Sequence, residues 1–346
     1  MRGRVPAKGA AGRNEFEELR NSISSLRDEL ETRFELGSRV PRDADAPSFS
    51  GAAQSSRVSD LEVSGLDPME LFDRARRWMS RLRGETRSAE VDEFGLDPVQ
   101  LERARPLLDF LFERWWRVQV SGTANLGGAG GERVLFVSNR SGILPYDGLM
   151  IAHAVERHHP EQRRPRFLVA DWLATLPFLQ SGLARIGGIR ACPENAERLL
   201  RQGEGVVAFP EGQKGALKLF RDRYRLQRFG RGGFVSLAVR LRAKVIPVAV
   251  VGAEEAHPIL LRPDFATRLL GIPFPVTPTF PHLGPLGLVP LPARWRIRFG
   301  EPVRFDRVES HRAEDPLYVS RAREQIRAKI QSLLDAEVHA RESVWR

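Results

Sequence analysis

Short apolar runs alternate with helical patterns from about residue 117 onward, and this alternation limits the possible folds more than any other feature of the chain. The pattern predicts buried strands at 118–120, 133–138, 166–170, 205–209, 244–251 and 295–299. It predicts helices at 147–155, 194–202 and 232–241. Apolar strands that alternate with helices are typical of a largely parallel sheet covered on both faces. The sequence therefore predicts an α/β fold with a mostly parallel central sheet and helices on both faces.

The N-terminal third of the chain is predicted to be helical only in parts. Residues 1–60 are expected to be disordered or linker-like except at 14–36, where apolar residues at heptad spacing indicate a short coiled-coil-like helix. That helix could form a homodimer or dock on the main domain. Residues 61–116 are predicted to be a helical lead-in, because Gly-Leu-Asp-Pro opens a helical pattern at 65 and again at 95. In each copy Asp is a good N-cap and Pro fits the first helical turn.

The main domain is predicted to span residues 117–310, and residues 311–346 are predicted to form an amphipathic C-terminal helix. The apolar face of that helix is expected to carry Leu317, Ala322, Ile326, Ile330 and Leu334. Within the lead-in, proline at position 106 is expected to kink or split the second helix.

The charge and cysteine content of the chain limit its partners and its location. A formal net charge of +10 favours an anionic partner, either lipid headgroups or nucleic acid. The chain has no zinc-ligand spacing and no RNA-binding signature, so no nucleic-acid partner is expected. The one cysteine, Cys192, excludes a disulfide framework and suits a reducing compartment. The sequence lacks a signal-peptide core and a run of 18 apolar residues, so the expected location is cytoplasmic, with peripheral contact to a membrane.

The predicted strand at 205–209 ends in residues suited to binding a ligand. Pro210 stops the strand, because proline cannot donate to a central ladder. Glu211, Gly212 and Lys214 follow at the carboxyl end, and ligands in open α/β sheets bind outside that edge. A run of basic residues continues from Lys214 to Arg231 with only one acid, and part of this run is expected to face a phosphate-bearing ligand.

A second polar stretch, from Ser138 to Gly148, follows the strand at 133–138 and precedes a helix. This position presents side chains at the active edge of the sheet. Arg140 and Asp147 lie on either side of a proline turn in this stretch, so their side chains are expected to converge into an ion pair.

These stretches resemble two sequence blocks of the phospholipid/glycerol acyltransferase family, which moves an acyl chain from a thioester to a hydroxyl. The resemblance covers roughly residues 95–310 and includes two further blocks in the family's order, at Ile186–Ala196 and Ile246–Ala256. It implies binding of the acceptor or its phosphate by a set of residues near the sheet edge: Phe209, Pro210, Glu211, Gly212, Lys214 and Arg190. Arg190 is included as the nearest replacement for the family's phosphate-contacting arginine, because Pro193 stands at the aligned position.

In this family the second block carries a histidine that takes the proton of the acceptor hydroxyl and an aspartate that orients the histidine ring. Asp147 matches the aspartate, whereas Arg140 aligns with the histidine and cannot be a base, since arginine does not deprotonate in proteins. The resemblance thus implies Asp147 and Arg140 as the catalytic pair. Arg140 could pair with Asp147, bind phosphate or polarise the thioester carbonyl. A substitute base could come from a nearby histidine: His153, His158 or His159.

The stretch from Ile259 to Pro292 is rich in proline and apolar residues and carries no formal charge beyond Leu269. An exposed apolar loop beside a basic surface is typical of membrane docking. The alternative is that the loop packs on the domain's own core.

Together, the resemblance and the composition predict an O-acyltransferase of phospholipid biosynthesis at the cytoplasmic membrane surface. The expected donor is acyl-CoA or acyl carrier protein, and the expected acceptor is a hydroxyl of a glycerol-type lipid or lysophospholipid. The thioester donor is a substrate, and no bound cofactor and no metal are expected. The alternative is a catalytically degenerate relative that binds anionic lipid surfaces, because Arg140 stands where the base is expected.

Overall fold

A computed structural model of the protein describes residues 91–127, 132–174, 177–263, 274–284, 287 and 289–341. Three expectations lie outside these residues: the disorder of 1–60, the helix at 14–36 with its homodimer, and the helix that opens at 65. They stay predictions.

In the described part of the chain seven strands form one sheet, in the order β1-β7-β6-β2-β5-β3-β4. The strands are Gln119–Ser121 (β1), Val134–Ser138 (β2), Arg166–Val169 (β3), Gly188–Arg190 (β4), Val206–Ala208 (β5), Lys244–Val251 (β6) and Arg296–Phe299 (β7). Neighbouring strands are parallel, except that β6 and β7 are antiparallel. The predicted mostly parallel sheet is therefore confirmed, and β2 to β6 direct their carboxyl ends to one edge.

Strand β2 lies at the centre of this edge, between β5 and β6. Its Phe136 pairs with Val207 of β5 on one side and with Ile246 of β6 on the other. The loops that follow these three strands consequently leave the sheet side by side. This register brings together residues that are far apart in the sequence.

Helices surround the sheet. They are Pro98–Phe110 (α1), Tyr146–His158 (α2), Asp171–Ala174 (α3), Pro177–Arg185 (α4), Pro193–Arg201 (α5), Gly212–Ala216 (α6), Gly233–Leu241 (α7), Ala253–Ala256 (α8) and Pro316–His339 (α9). A π-helical turn, Leu111–Trp115, follows α1, and short 3₁₀ turns occur at Thr123–Leu126, Phe220–Asp222 and Ser310–Glu314. No helix in the described ranges combines the length and the apolar character needed to cross a membrane.

The hydrophobic core has two layers because side chains alternate between the faces of each strand. On β2, Leu135 and Val137 point to a layer that includes α5, α7 and α9, whereas Phe136 points to a layer that includes α1 and α2. The same alternation on β6 sends Val245 to the first layer and Ile246 to the second. The helices thus cover both faces, as the sequence predicts.

The structure moves most element bounds by one to three residues and corrects one helix prediction. Helix α1 begins as expected, with the Asp97 carboxylate accepting the N–H groups of Val99 and Gln100, and it is not split at Pro106. On α9, Leu317 is 70% exposed and is not part of the buried face. Leu317 lies five positions before Ala322, which places the two on different sides of a helix of 3.6 residues per turn.

Candidate active site

The loop after β2 brings Arg140 and Asp147 together. Their side chains form an ion pair with Nη1 of Arg140 3.0 Å from Oδ1 of Asp147, and the two are 4% and 0% exposed. The predicted convergence of these residues is therefore confirmed. Asn139, just before them, exchanges two hydrogen bonds with the backbone of Val250 (2.9 and 2.8 Å), which fixes the start of the loop to β6.

Asp147 uses both carboxylate oxygens to hold the loop. Oδ1 accepts the N–H of Gly148 at 2.8 Å in addition to Arg140, and Oδ2 accepts the N–H (2.9 Å) and the hydroxyl (3.3 Å) of Ser141. Burial raises the pKa of Asp147, and the charge of Arg140 and the donors from Ser141 and Gly148 oppose that rise. Asp147 is therefore a positioning group in this conformation, with no oxygen directed to solvent.

The Arg140 guanidinium is held on three sides. Besides the pair with Asp147, its Nη2 donates to the carbonyl of Ile143 at 3.3 Å, and its Cζ lies 4.8 Å from the centre of the Phe209 ring. Arg140 is also one of the residues that line the cavity described below. A fixed guanidinium at such a place can stabilise a developing negative charge, although it cannot accept a proton.

Glu211 joins the loop after β5 to the loop after β2. Its Oε1 accepts the backbone N–H of Arg140 at 2.8 Å, and its Oε2 accepts the backbone N–H of Gln227 at 2.7 Å. Burial raises the pKa of Glu211, and the nearby Lys218 ammonium opposes that rise. Gly215 packs against this junction, where a Cβ atom would lie 2.6 Å from Cβ of Glu211 and 2.9 Å from Cβ of Arg140. Glu211 thus fixes the backbone positions of residues 140 and 227 by accepting their N–H groups.

The basic run does not face a ligand along its whole length. Lys218 is buried and forms an ion pair with Glu254 at 3.0 Å, with Glu211 3.6 Å away. Burial raises the pKa of Glu254 to about 7, and the charge of Lys218 opposes that rise. Lys218 therefore belongs to an internal ionic cluster, and the part of the run expected to face a phosphate-bearing ligand would have to be one of its exposed members.

A cavity of about 300 Å³ opens at the carboxyl ends of β3 and β5, between α5 and α7. Its walls are mainly apolar and include Leu135, Leu168, Ala196, Ala208, Phe209, Pro210, Phe234 and Leu237. Arg231 and Arg240 line it from exposed positions, and Cys192 contributes to the wall at the start of α5. The cavity is thus an apolar space with cations at its exposed rim and Arg140 at one side.

The remaining predicted ligand-binding residues divide into two groups. Phe209, Pro210 and Gly212 line the cavity. Lys214 and Arg190 are exposed and do not line it, and Nε of Arg190 pairs with Asp171 at 2.9 Å. The structure therefore brings the Phe-Pro-Glu-Gly block and Arg140 together and leaves Arg190 and Lys214 on the outside.

The histidines proposed as substitute bases lie away from Arg140. His153 is fully buried, with Nε2 3.0 Å from Oδ1 of Asp109 and its ring edge against Phe112. His158 ends α2, and at 1.5 Å per residue it lies roughly 16 Å along the helix from Asp147. His159 follows it. The position of these three residues argues against that role.

The sequence analysis did not single out His257, which lies at the active edge. His257 follows α8, just beyond the carboxyl end of β6, and its ring is parallel to that of Tyr146, with an interplanar angle of 7° and 5.9 Å between the ring centres. A sequence signal was available, because His257 comes directly after the fourth family block, Ile246–Ala256.

Residues 117–251 match the family model described as Acyltransferase. An uncharacterized protein of Mycobacterium leprae is 47% identical over 257 residues, which are 74% of this chain and 70% of the relative. An uncharacterized protein of Mycobacterium tuberculosis (strain H37Rv) is 40% identical over 347 residues, which are 99% of this chain and 94% of the relative.

Among solved structures, the chain is similar to the 1-acyl-sn-glycerophosphate (LPA) acyltransferase PlsC from Thermotoga maritima, with a TM-score of 0.45 and 15% identity over 78% of this chain and 90% of that one. The matched residues, 117–251, include the loops after β2, β3, β4 and β5. They therefore include Arg140, Asp147 and the Phe-Pro-Glu-Gly block. The chain belongs to the phospholipid/glycerol acyltransferase family.

Proposed function

We propose that the protein is an O-acyltransferase that moves a fatty acyl group from an acyl thioester to a hydroxyl of a glycerol-type lipid or lysophospholipid. One observation carries this proposal: Arg140, whose side chain is paired with buried Asp147, is one of the residues that line an apolar cavity. The cavity suits an acyl chain, because each Å² of apolar surface removed from water contributes about 25 cal/mol. The guanidinium suits the oxygen of the thioester carbonyl, where negative charge develops during attack by a hydroxyl.

The exposed cations at the cavity rim support an anionic donor. Arg231 and Arg240 are exposed and line the cavity, and Nη2 of Arg240 also pairs with Glu197 at 3.0 Å. Guanidinium groups bind phosphate oxygens through paired hydrogen bonds. This arrangement is compatible with acyl-CoA and with the phosphopantetheine arm of an acyl carrier protein, both of which carry phosphate next to the thioester-bearing arm.

The test is acyl transfer by the purified full chain, with radiolabelled palmitoyl-CoA or palmitoyl carrier protein and a panel of lysolipid and neutral glycerolipid acceptors. We expect a labelled ester product with at least one acceptor. As the only cysteine of the chain lines the cavity, palmitoyl-CoA is also expected to slow maleimide labelling of Cys192, with Cys192→Ser as the unlabelled control. Absence of product with every acceptor, together with unprotected Cys192, would contradict the proposal.

A second candidate, a lipid-binding relative without turnover, rests on Arg140 at the position of the family's base. It predicts that palmitoyl-CoA protects Cys192 while no ester product forms. The two measurements together therefore separate an enzyme, a binding protein and a protein with neither property.

We further propose that the protein docks on the cytoplasmic surface of anionic membranes through exposed apolar residues of the proline-rich stretch. Leu260, Leu261, Leu283 and Val289 are exposed large apolar side chains in the proline-rich stretch. The 3₁₀ turn Phe220–Asp222 is joined to the start of this stretch, because the N–H of Phe220 donates to the carbonyl of Ile259 at 2.8 Å. Exposed Arg221 and Arg223 in and after this turn would face lipid headgroups when the leucines enter the bilayer.

Changing Leu260 and Leu261 together to aspartate is expected to reduce binding to vesicles of phosphatidylglycerol and phosphatidylcholine at least tenfold, because the change removes apolar burial and adds negative charge. Co-sedimentation at low salt measures this effect. Leu317→Asp is the matched control, since Leu317 is equally apolar and is 70% exposed at the start of α9. Equal binding by the double variant and the control would assign the leucines no part in membrane contact.

A further inference from the structure

The proposed reaction needs a group that carries a proton, and the residues at the motif position do not supply one. Transfer of an acyl group from a thioester to a hydroxyl removes a proton from the hydroxyl and returns one to the sulfur. Arg140 does not deprotonate in a protein. Asp147 and Glu211 bind protein donors with both carboxylate oxygens and are 0% and 4% exposed. A base has to come from another element at this edge.

His257 occupies such an element. It lies beyond the carboxyl end of β6, the strand that pairs directly with β2. The two hydrogen bonds between Asn139 and the backbone of Val250 hold the ends of these strands in register. The loop that carries Arg140 and the segment that carries His257 are therefore held beside one another by the sheet.

The Arg140–Asp147 loop approaches His257 at two points. A Cβ atom on Gly142 would lie 3.8 Å from Cβ of His257. The ring of Tyr146, immediately before Asp147, lies parallel to the His257 ring. It also makes a T-shaped contact with Trp116, with 5.4 Å between the ring centres. The half-buried imidazole is thus oriented by the loop that holds the guanidinium.

Elsewhere in the described ranges, the histidines lie on other parts of the fold. His153, His158 and His159 belong to the far part of α2 or its end. His311 pairs with Glu309 before α9, and His339 bonds to the carbonyl of Asp335 at the end of α9. His282 lies in the proline-rich stretch. Among the histidines of the described ranges, His257 is therefore the one that follows directly on β6 and α8, beside the loop after β2.

We propose that His257 is the general base of the acyl transfer, and this assignment rests on the proposed function. Neutral imidazole removes the hydroxyl proton while the hydroxyl oxygen forms a bond to the thioester carbon, and the carbonyl electron pair moves to the oxygen beside Arg140. When the carbonyl re-forms, the carbon–sulfur bond breaks and the imidazolium returns the proton to the thiolate. Arg140 and His257 thereby divide between them the charge stabilisation and the proton transfer.

The titratable and charged groups on the elements around His257 are Tyr146 and Asp147 on α2, Arg140 on the loop after β2, and Glu254 and Glu255 on α8. Burial raises the pKa of Tyr146, so this phenol stays neutral throughout the range in which histidine titrates. Burial raises the pKa of Glu254 to about 7, within the same range, so the rate profiles of the His257 variants decide whether the imidazole, whose ordinary pKa is about 6.5, gives the acidic limb.

The test uses His257→Gln and His257→Phe in the full chain, with palmitoyl-CoA and the best acceptor of the panel. Phe keeps a ring against Tyr146 and lacks the base, so it separates proton transfer from packing. Both variants are expected to lower kcat by a factor of about 100 to 10,000, with a much smaller change in KM, and to lose the acidic limb of the profile. His311→Gln, at an exposed site beyond the active edge, serves as the matched control.

The outcomes distinguish this assignment from the proposed function. An active wild type in which both His257 variants keep the kcat and the acidic limb would overturn the assignment and leave the acyltransferase proposal intact. A wild type without transfer to any acceptor would overturn both. Loss of rate in His257→Gln that His257→Phe restores would show a packing role and would also reject His257 as the base.

Discussion

Replacing Arg140 with alanine is expected to lower the acyl-transfer rate by on the order of a hundredfold, the typical effect of losing one group that stabilises a developing oxyanion. The guanidinium is fixed by Asp147 at 3.0 Å and by the carbonyl of Ile143 at 3.3 Å. Lysine cannot reproduce both contacts with one ammonium group, so Arg140→Lys is expected to recover only part of the rate. Steady-state kinetics with palmitoyl-CoA measures both changes.

The alanine variant needs a stability control, because it leaves the fully buried Asp147 carboxylate without its cation. Adding Asp147→Asn removes that unpaired charge, and the double variant is expected to melt at a higher temperature than Arg140→Ala while remaining slow. If the double variant regained its rate together with its stability, Arg140 would support the reaction by stabilising the fold and not by stabilising charge. A wild-type rate in a folded Arg140→Ala protein would place the chemistry elsewhere in the chain.

Replacing Arg341 with alanine is expected to lower the free energy of unfolding by about 3–5 kcal/mol, the usual cost of breaking a buried ion pair from one side. Arg341 follows α9, and its Nη1 donates to Oε1 of Glu255 at 2.8 Å. Glu255 is 2% exposed and also accepts the Tyr224 hydroxyl at 2.7 Å. Without the guanidinium, the Glu255 carboxylate stays buried beside this neutral donor and loses its compensating charge. The midpoint and slope of urea unfolding measure the loss.

Two further variants identify the cause of that loss. Arg312→Ala breaks a half-exposed pair with Asp315 and is expected to cost at most about 1 kcal/mol. Adding Glu255→Gln to Arg341→Ala removes the buried charge and is expected to recover part of the stability. A cost for Arg341→Ala no larger than that of Arg312→Ala would show that the end of α9 contributes little to the folded state.

Of the strands in the described residues, all but β4 could be predicted from the sequence, because each of them carries a local apolar pattern. Apolar runs mark β2, β5 and β6, and Pro210 marks the end of β5. The antiparallel direction of β7 depends on how the chain returns to the sheet, and no local pattern carries that information. Leu317 shows the same limit on a smaller scale, since its apolar character suggests burial but its angular position on α9 decides its exposure.

Contacts in the site could be predicted only between residues that are close in the sequence. Arg140 and Asp147 are seven residues apart, and their pairing followed from the turn between them. Lys218 and Glu254 are 36 residues apart, and the buried partner that takes the lysine away from a ligand cannot be seen from the basic run alone. Glu211 accepts hydrogen bonds from the backbone N–H groups of Arg140 and Gln227. Such bonds cannot be predicted from the donor's residue type, because nearly every residue has a backbone N–H.

Glu211 recognises the peptide N–H of residue 140, and every amino acid except proline offers the same donor. The path of the loop is therefore independent of which side chain projects from it. An imidazole or a guanidinium can occupy the position on an unchanged backbone, so one scaffold is compatible with either proton abstraction or charge stabilisation at the same point in space.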